Sequence, residues 1–150
     1  MEIDAILKSL PDRHSTALRW FYVHAGMEQP WPKPLADHTL LVTRAKGIYK
    51  PRWSPYALSV RESLHGRYDD RDPVSDRYGR WTYRYHQENL QAADRDREYT
   101  NRALVRCMED HVPVGVMRQV ADRPERRYEI LGLGIVTNWE RGFFTITALM

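Results

Sequence analysis

Apolar residues recur at helical spacing at the start of the chain. Ile3, Ile6, Leu7 and Leu10 lie three or four apart, which predicts a short amphipathic helix with Asp4 as its cap and Pro11 as its stop. Ser15 is placed to cap a second helix in which Leu18, Phe21, Tyr22 and Ala25 share a face, and Gly26 is placed to end it. In Gln29-Pro30-Trp31-Pro32-Lys33-Pro34 every second residue is Pro. That excludes regular helix and central strand and marks a connector. From Thr39 the texture changes. Leu40 to Thr43, Tyr56 to Val60, Trp81 to Tyr85, Val112 to Val120, Tyr128 to Thr137 and Phe143 to Thr147 are β-branched or aromatic runs separated by turn residues, and they predict strands. One helix is expected among them, Asn101 to Asp110, with Leu104, Cys107 and Met108 on one side. Val120 to Arg126 reads as a polar hairpin connection and Asn138 to Gly142 as another.

Two polar loops interrupt this α+β pattern. The first, His65 to Arg80, contains Tyr68-Asp69-Asp70-Arg71-Asp72-Pro73, and the second, His86 to Thr100, is centred on Asp94-Arg95-Asp96-Arg97. Both flank the strand Trp81 to Tyr85, so side chains from each can gather at its ends, the usual way a rigid sheet presents a site.

Length and composition narrow the class. A chain of 150 residues suits one domain, and with a hydrophobic fraction of 42% and five Trp it can build a packed core. Cys107 is the single cysteine, so no disulfide framework or cysteine zinc cluster forms within the chain. The acidic start Met1-Glu2-Ile3-Asp4 and the short apolar run Ile130 to Val136 argue against a secretory signal and a membrane span, and the expected location is the cytoplasm. Net charge is only +3, but nineteen of the twenty-three basic residues are Arg. That composition suits forked contacts with phosphate and guanine, and it also arises from genomic base bias.

Catalytic patterns are missing. None of Lys8, Lys33, Lys46 or Lys50 has an acidic residue two places before it, as a PD-(D/E)xK nuclease requires. Gly47-Ile48-Tyr49 matches half of a GIY-YIG motif, but Tyr56-Ala57-Leu58 lacks the second half. The six His form no HxxH, HxxxH or HExxH pair, so no metal ligand set is assigned. Cys107 and His111 share helical spacing, yet Cys107 falls on the apolar side without an orienting third group and reads as core. No catalytic residue and no cofactor is expected.

One ordered series of segments points elsewhere. Ala57-Leu58-Ser59-Val60, Gly66-Arg67-Tyr68-Asp69-Asp70-Arg71-Asp72, Trp81-Thr82-Tyr83 and Thr100-Asn101-Arg102-Ala103-Leu104 together resemble the SRA (SET and RING associated) family over roughly the middle third of the chain. The chain as a whole is similar to bacterial SRA-like domains that precede an HNH nuclease in modification-dependent restriction enzymes. The resemblance implies a curved, partly closed SRA/PUA-like β-barrel with outer helices. Residues 35–150 would form it as a single compact unit, and residues 1–34 would be a helical N-terminal addition with its Pro-rich connector. The implied partner is double-stranded DNA carrying 5-methylcytosine or 5-hydroxymethylcytosine. A C-terminal HNH domain, fused or missing, is implied with it, and a homodimer is left open.

The resemblance also implies the site. Tyr83 and Tyr68 would wall a pocket for a flipped modified cytosine. Asp70 would accept from its amino group, with Asp69 and Asp72 as alternatives, and His65, Gly66 and Arg67 would surround the five-substituent. Gln87, Gln91, Arg95 and Arg97 are candidates for the finger that fills the gap left in the duplex. Arg84 and the Arg-dense hairpin of Arg118, Arg123, Arg126 and Arg127 are the candidates for phosphate contact. The chemistry suits these residue types. Extruding a base costs a few kcal/mol, and stacking on an aromatic ring returns about 1–3 kcal/mol per base. Taken without the resemblance, Tyr83 is a core residue, the Asp run a solvated turn and the Arg cluster a wet hairpin. Two rival functions remain, a PUA-like RNA-binding module and a self-contained nuclease.

Overall fold

The computed structural model describes residues 3–44, 46–64, 73–87 and 99–149. Both early helices form, α1 (Ile3–Lys8) and α2 (Asp12–Val23), with ends that differ from the capping pattern. Asp4 lies inside the first turn of α1 and pairs with Arg19 at 2.8 Å. Ser15 lies inside α2, which starts after Pro11, and its hydroxyl donates to the Leu7 carbonyl at 2.5 Å. The residue expected to cap α2 therefore satisfies a carbonyl in the last turn of α1. The buried stripe of α2 is His14, Ala17, Leu18 and Phe21. Tyr22 falls one residue off that stripe and Ala25 lies beyond the last turn, so both are exposed.

The strands are β1 (Glu28–Gln29), β2 (Ile48–Tyr49), β3 (Ser59–Glu62), β4 (Val74–Ser75), β5 (Trp81–His86), β6 (Val114–Ala121), β7 (Arg127–Glu140) and β8 (Phe143–Ala148), with α3 (Tyr99–Asp110) between β5 and β6. They form one sheet in the order β2-β3-β6-β7-β8-β5-β4, with β1 added on β7. Only β3 and β6 run parallel among these pairs. The pairing leaves the sheet open, since β2 and β4 end the path without meeting.

The expected strand at Leu40 to Thr43 does not form. Leu41 and Val42 are nevertheless buried, and the Leu41 carbonyl accepts from the Ser59 hydroxyl at 2.7 Å. Here the apolar run reports burial in an irregular segment instead of strand pairing. The strand expected from Tyr56 begins only at Ser59, because the Tyr56 amide is held by the Ser54 hydroxyl and its own hydroxyl donates to Asp110 at 2.6 Å.

Two apolar clusters lie on the two faces of the sheet. Leu18 and Phe21 of α2 join Met117, Tyr128, Ile130 and Leu133 in one; Leu104 and Cys107 of α3 join Val60, Tyr83, Val116 and Ile146 in the other. Each such side chain fully buried contributes about 1.5–3 kcal/mol. The alternation of β6 sends Val114 and Val116 to one face and leaves Gly115 on the other. There, a Cβ on Gly115 would stand 2.4 Å from the Phe21 ring. Only glycine allows α2 to approach the sheet this closely. Residues of the N-terminal addition are thus part of the core, and β1 continues the sheet.

Candidate nucleic-acid interface

Strand β5 carries Tyr83 and Tyr85 inward, both buried, while Thr82, Arg84 and His86 alternate outward. Tyr83 is 1% exposed and sits in the cluster beneath α3. Its hydroxyl donates to the Glu62 carboxylate on β3. Three strands, β6, β7 and β8, separate β3 from β5 in the sheet. A direct side-chain bond between them requires the sheet to curl until its two flanks face each other across the concave side.

Glu62 is also the register partner of Arg118 on β6, and Arg118 is the register partner of Glu129 on β7, with its Nε 3.9 Å from a Glu129 oxygen. Acid, base and acid therefore run across three adjacent strands, with Tyr83 attached to the first. Sequence reasoning passed over Glu62. The available signal was strand alternation, since Val60 faces the core and a residue two places on shares its side.

This junction lies where the first loop leaves β3. Ser63 and Leu64 follow Glu62 directly, and the Leu64 amide donates to the Gln119 side chain at 3.1 Å. His65, Gly66, Arg67, Tyr68, Asp69, Asp70 and Asp72 lie outside the described residues, as do Gln91, Arg95 and Arg97. Gln87, which closes β5 before the second loop, is described. It is 3% exposed, its backbone N–H donates to the Gly142 carbonyl, and its side-chain oxygen accepts from Trp139 Nε1 at 3.0 Å. It anchors the loop's first residue and does not project from it.

The candidate phosphate-binding arginines separate into different environments. Arg84 lies over the Phe143 ring, 4.6 Å from its centroid. Arg118 belongs to the strand row already described, not to the exposed hairpin. Arg127 pairs with Glu28 at 3.2 Å and Glu125 at 3.4 Å and also donates to the Glu28 carbonyl, which fastens β1 to β7. Arg126 stands 3.6 Å from Asp122. Arg123 is fully at the surface of the turn between β6 and β7, next to a cis peptide bond to Pro124.

On the face opposite Glu62, the same region forms a cleft of about 420 Å³ bordered by Trp31, Arg44, Arg61, Arg126 and Tyr128, with Asp122 as its one acid among the described residues. Arg44 and Arg61 lie over Trp31, 4.1 and 5.3 Å from the ring centroid. Arg61 also donates to the Ser63 hydroxyl and the Thr43 carbonyl, while its buried Nε has no partner. Trp31 thus turns a proline-rich connector into one wall of a basic cleft, a role that its proline neighbours gave no sign of.

Nucleophilic chemistry at Cys107 is opposed by its setting. Burial pushes the thiol up to about 12, and its sulfur donates to the Ala57 carbonyl at 3.4 Å. No group of three metal-ligating side chains occurs among the described residues. None of the described helices is long and apolar enough to cross a membrane.

No protein-family model and no curated protein sequence matches the chain. Solved structures similar to it include KRYPTONITE in complex with mCHH DNA, an H3(1-15) peptide and SAH, at 26% identity over 63% of this chain and a TM-score of 0.47. KRYPTONITE with mCHG DNA and SAH aligns at 27% identity over the same share, with a TM-score of 0.43. This chain spans 23% of the KRYPTONITE chain in both. The SRA domain of SUVH5 in complex with methylated CHH DNA aligns at 22% identity, over 69% of this chain and 73% of that one, with a TM-score of 0.44.

Proposed function

We propose that this chain is a DNA-reading module that recognises modified cytosine by flipping it out of the duplex, and that it carries out no chemistry itself. The observation that carries the reading is the Tyr83–Glu62 bond. It brings the aromatic residue of the Trp81-Thr82-Tyr83 segment to the end of β3, from which the loop with Tyr68 and the Asp cluster departs. The second loop leaves from the far end of β5, so both loops start from the strand that holds Tyr83 or from the strand bonded to it.

In this reading the ring of Tyr83 stacks on the extruded base and Tyr68 closes the other side. One of Asp70, Asp69 and Asp72 accepts from the amino group, while His65, Gly66 and Arg67 surround the five-substituent. Entry of the base exchanges the present cover of Tyr83 for a base face, and the stacking offsets part of the cost of extrusion. Gln91, Arg95 and Arg97 fill the vacated stack from a loop anchored by Gln87. Arg123 and Arg126, with Arg84, meet phosphates. The curved sheet acts as a partly closed barrel around this pocket, and the module targets an HNH nuclease to modified DNA in the cytoplasm.

The test is binding at fixed salt to otherwise identical duplexes with cytosine, 5-methylcytosine, 5-hydroxymethylcytosine or the glucosylated base. Preference for one of the modified duplexes is expected. Equal binding to all four, or tighter binding to single-stranded RNA, would overturn the reading in favour of an RNA-binding module. Metal-dependent cleavage abolished by one substitution in this chain would instead make it a nuclease.

A further inference from the structure

The cleft of about 420 Å³ beside the end of β3 holds two guanidinium groups on one aromatic ring. Arg44 and Arg61 lie 4.1 and 5.3 Å from the centre of the Trp31 ring, so two like charges share one small platform. The one acid that borders the cleft among the described residues, Asp122, stands 3.6 Å from Arg126. No carboxylate among the described residues comes within ion-pair distance of Arg44 or Arg61.

What holds these two cations is neutral. Arg61 donates to the Ser63 hydroxyl at 2.9 Å and to the Thr43 and Lys46 carbonyls at 3.2 and 3.5 Å, and its buried Nε has no partner. Arg44 is exposed and rests on the ring. A ring face and neutral oxygens orient a guanidinium without cancelling its charge. Two such charges side by side repel each other, and an anion bound between them replaces that repulsion with charge-assisted contacts to both. The order of residues along β3 gives the cleft its place. Arg61 is followed by Glu62, the residue bonded to Tyr83, and Ser63 begins the segment that leads into the first loop.

The ring narrows the choice of anion. Trp31 supports two guanidinium groups and meets Tyr128 edge to face, with ring centres 5.4 Å apart, so it is a poor platform for a stacked base. Two planar forks suit a group with several oxygens, and the phosphate of a nucleic acid is such a group. We propose that Arg44 and Arg61, braced by Trp31, clamp a backbone phosphodiester of double-stranded DNA, independently of base modification. The proposal rests on the DNA-reading function above for its choice of duplex, and it adds a contact outside the flipped-base pocket.

The test is the salt dependence of duplex binding for Arg44→Gln, with Arg44→Lys as the conservative variant and Lys8→Gln, which does not border the cleft, as the charge-matched control. Arg44 is exposed and its side chain touches the Trp31 ring, so the fold is not at stake. Each phosphate contact contributes about 0.9 to the slope of log affinity against log salt, so Arg44→Gln should reduce the steepness of that slope by about 0.9. Modified and unmodified duplex should weaken by the same factor. Arg44→Lys should restore the slope, because the charge returns, but not the full affinity, because the fork does not. An unchanged slope in Arg44→Gln, or an equal fall in the control, would overturn the clamp. Titration with inorganic phosphate at constant ionic strength separates the backbone from a free anion. Saturable phosphate binding that is lost in Arg44→Gln while the duplex slope stays unchanged would make the cleft a small-anion site and overturn its assignment to DNA. A parent chain that does not discriminate modified duplex, but whose slope still falls in Arg44→Gln, would sink the modified-base reading and leave the clamp standing.

Discussion

Tyr83 on β5 donates its hydroxyl to Glu62 on β3, although three strands lie between them in the sheet. A bond across that gap ties the flanks of the curved sheet together, and it places a carboxylate beside the ring proposed to stack on the flipped base. The two roles of Tyr83, packing and stacking, are separable by experiment.

Tyr83→Phe keeps the ring and loses only the hydroxyl, so a cost of about 1 kcal/mol in stability is expected, with most of the preference for modified duplex retained. Tyr83→Ala should cost about 3–5 kcal/mol of stability, since the ring is fully buried. In protein that remains folded, it should also lose about 1–3 kcal/mol on modified duplex. Thermal melts run beside binding curves make the distinction. Equal loss on every duplex would leave Tyr83 a core residue, and full preference in a folded Tyr83→Ala would remove it from the pocket.

The hairpin arginines are expected to behave differently from one another. Arg127→Glu breaks the pairs with Glu28 and Glu125 and sets like charges together, so it should lower the melting temperature and expose the Glu28–Gln29 amides to faster hydrogen exchange. Arg123→Glu touches no partner in the fold and should leave the melt unchanged while weakening binding to every duplex. Identical effects of the two substitutions would contradict this division.

Gly115→Ala is predicted to destabilise by about 1–3 kcal/mol, because the added methyl would meet the Phe21 ring between α2 and β6. Phe21→Leu in the same chain should recover part of the loss by making room. A melt in which the two substitutions simply add would show that the contact is not shared.

His14 supplies a pH dependence. It is fully buried, its Nδ1 meets the Ser54 hydroxyl at 3.1 Å, its Nε2 has no partner, and burial lowers its pKa to about 4. The unfolded chain takes up a proton near the usual 6.5 while the folded chain resists until about 4. Stability from this residue is therefore complete above the unfolded value and is lost as pH falls between the two. Denaturant midpoints measured across that interval should fall in the parent chain and fall less in His14→Gln; parallel curves would exclude His14 as the cause.

Much of the scaffold was legible because local periodicity and burial agree. Strand β5 with Tyr83 and Tyr85 on one face, helix α3 with Leu104 and Cys107 buried, and the hairpin between β6 and β7 all follow from alternation, helical spacing and turn residues. Where periodicity and pairing part, the reading failed. Leu40 to Thr43 has strand composition, but its Leu41 carbonyl is met by the Ser59 side chain and not by a ladder. Ser15 has the chemistry of a cap, and only the turn between α1 and α2 decided which helix it serves.

For the candidate site the division is sharper. The order of segments along the chain marked Tyr83 as a chemical residue, and no spacing rule could pair it with Glu62, because the pairing depends on how far an open sheet curls. Likewise the count of arginines was fixed by the chain, while their availability was not. Arg127 is consumed by Glu28, ninety-nine residues earlier, whereas Arg123, four residues before it, is exposed at the turn. Sequence determines which charges and rings exist and which face of a strand or helix each takes. Whether a charge is neutralised, and which rings meet it, depends on contacts between distant segments, and those are decided only when the sheet and its helices pack.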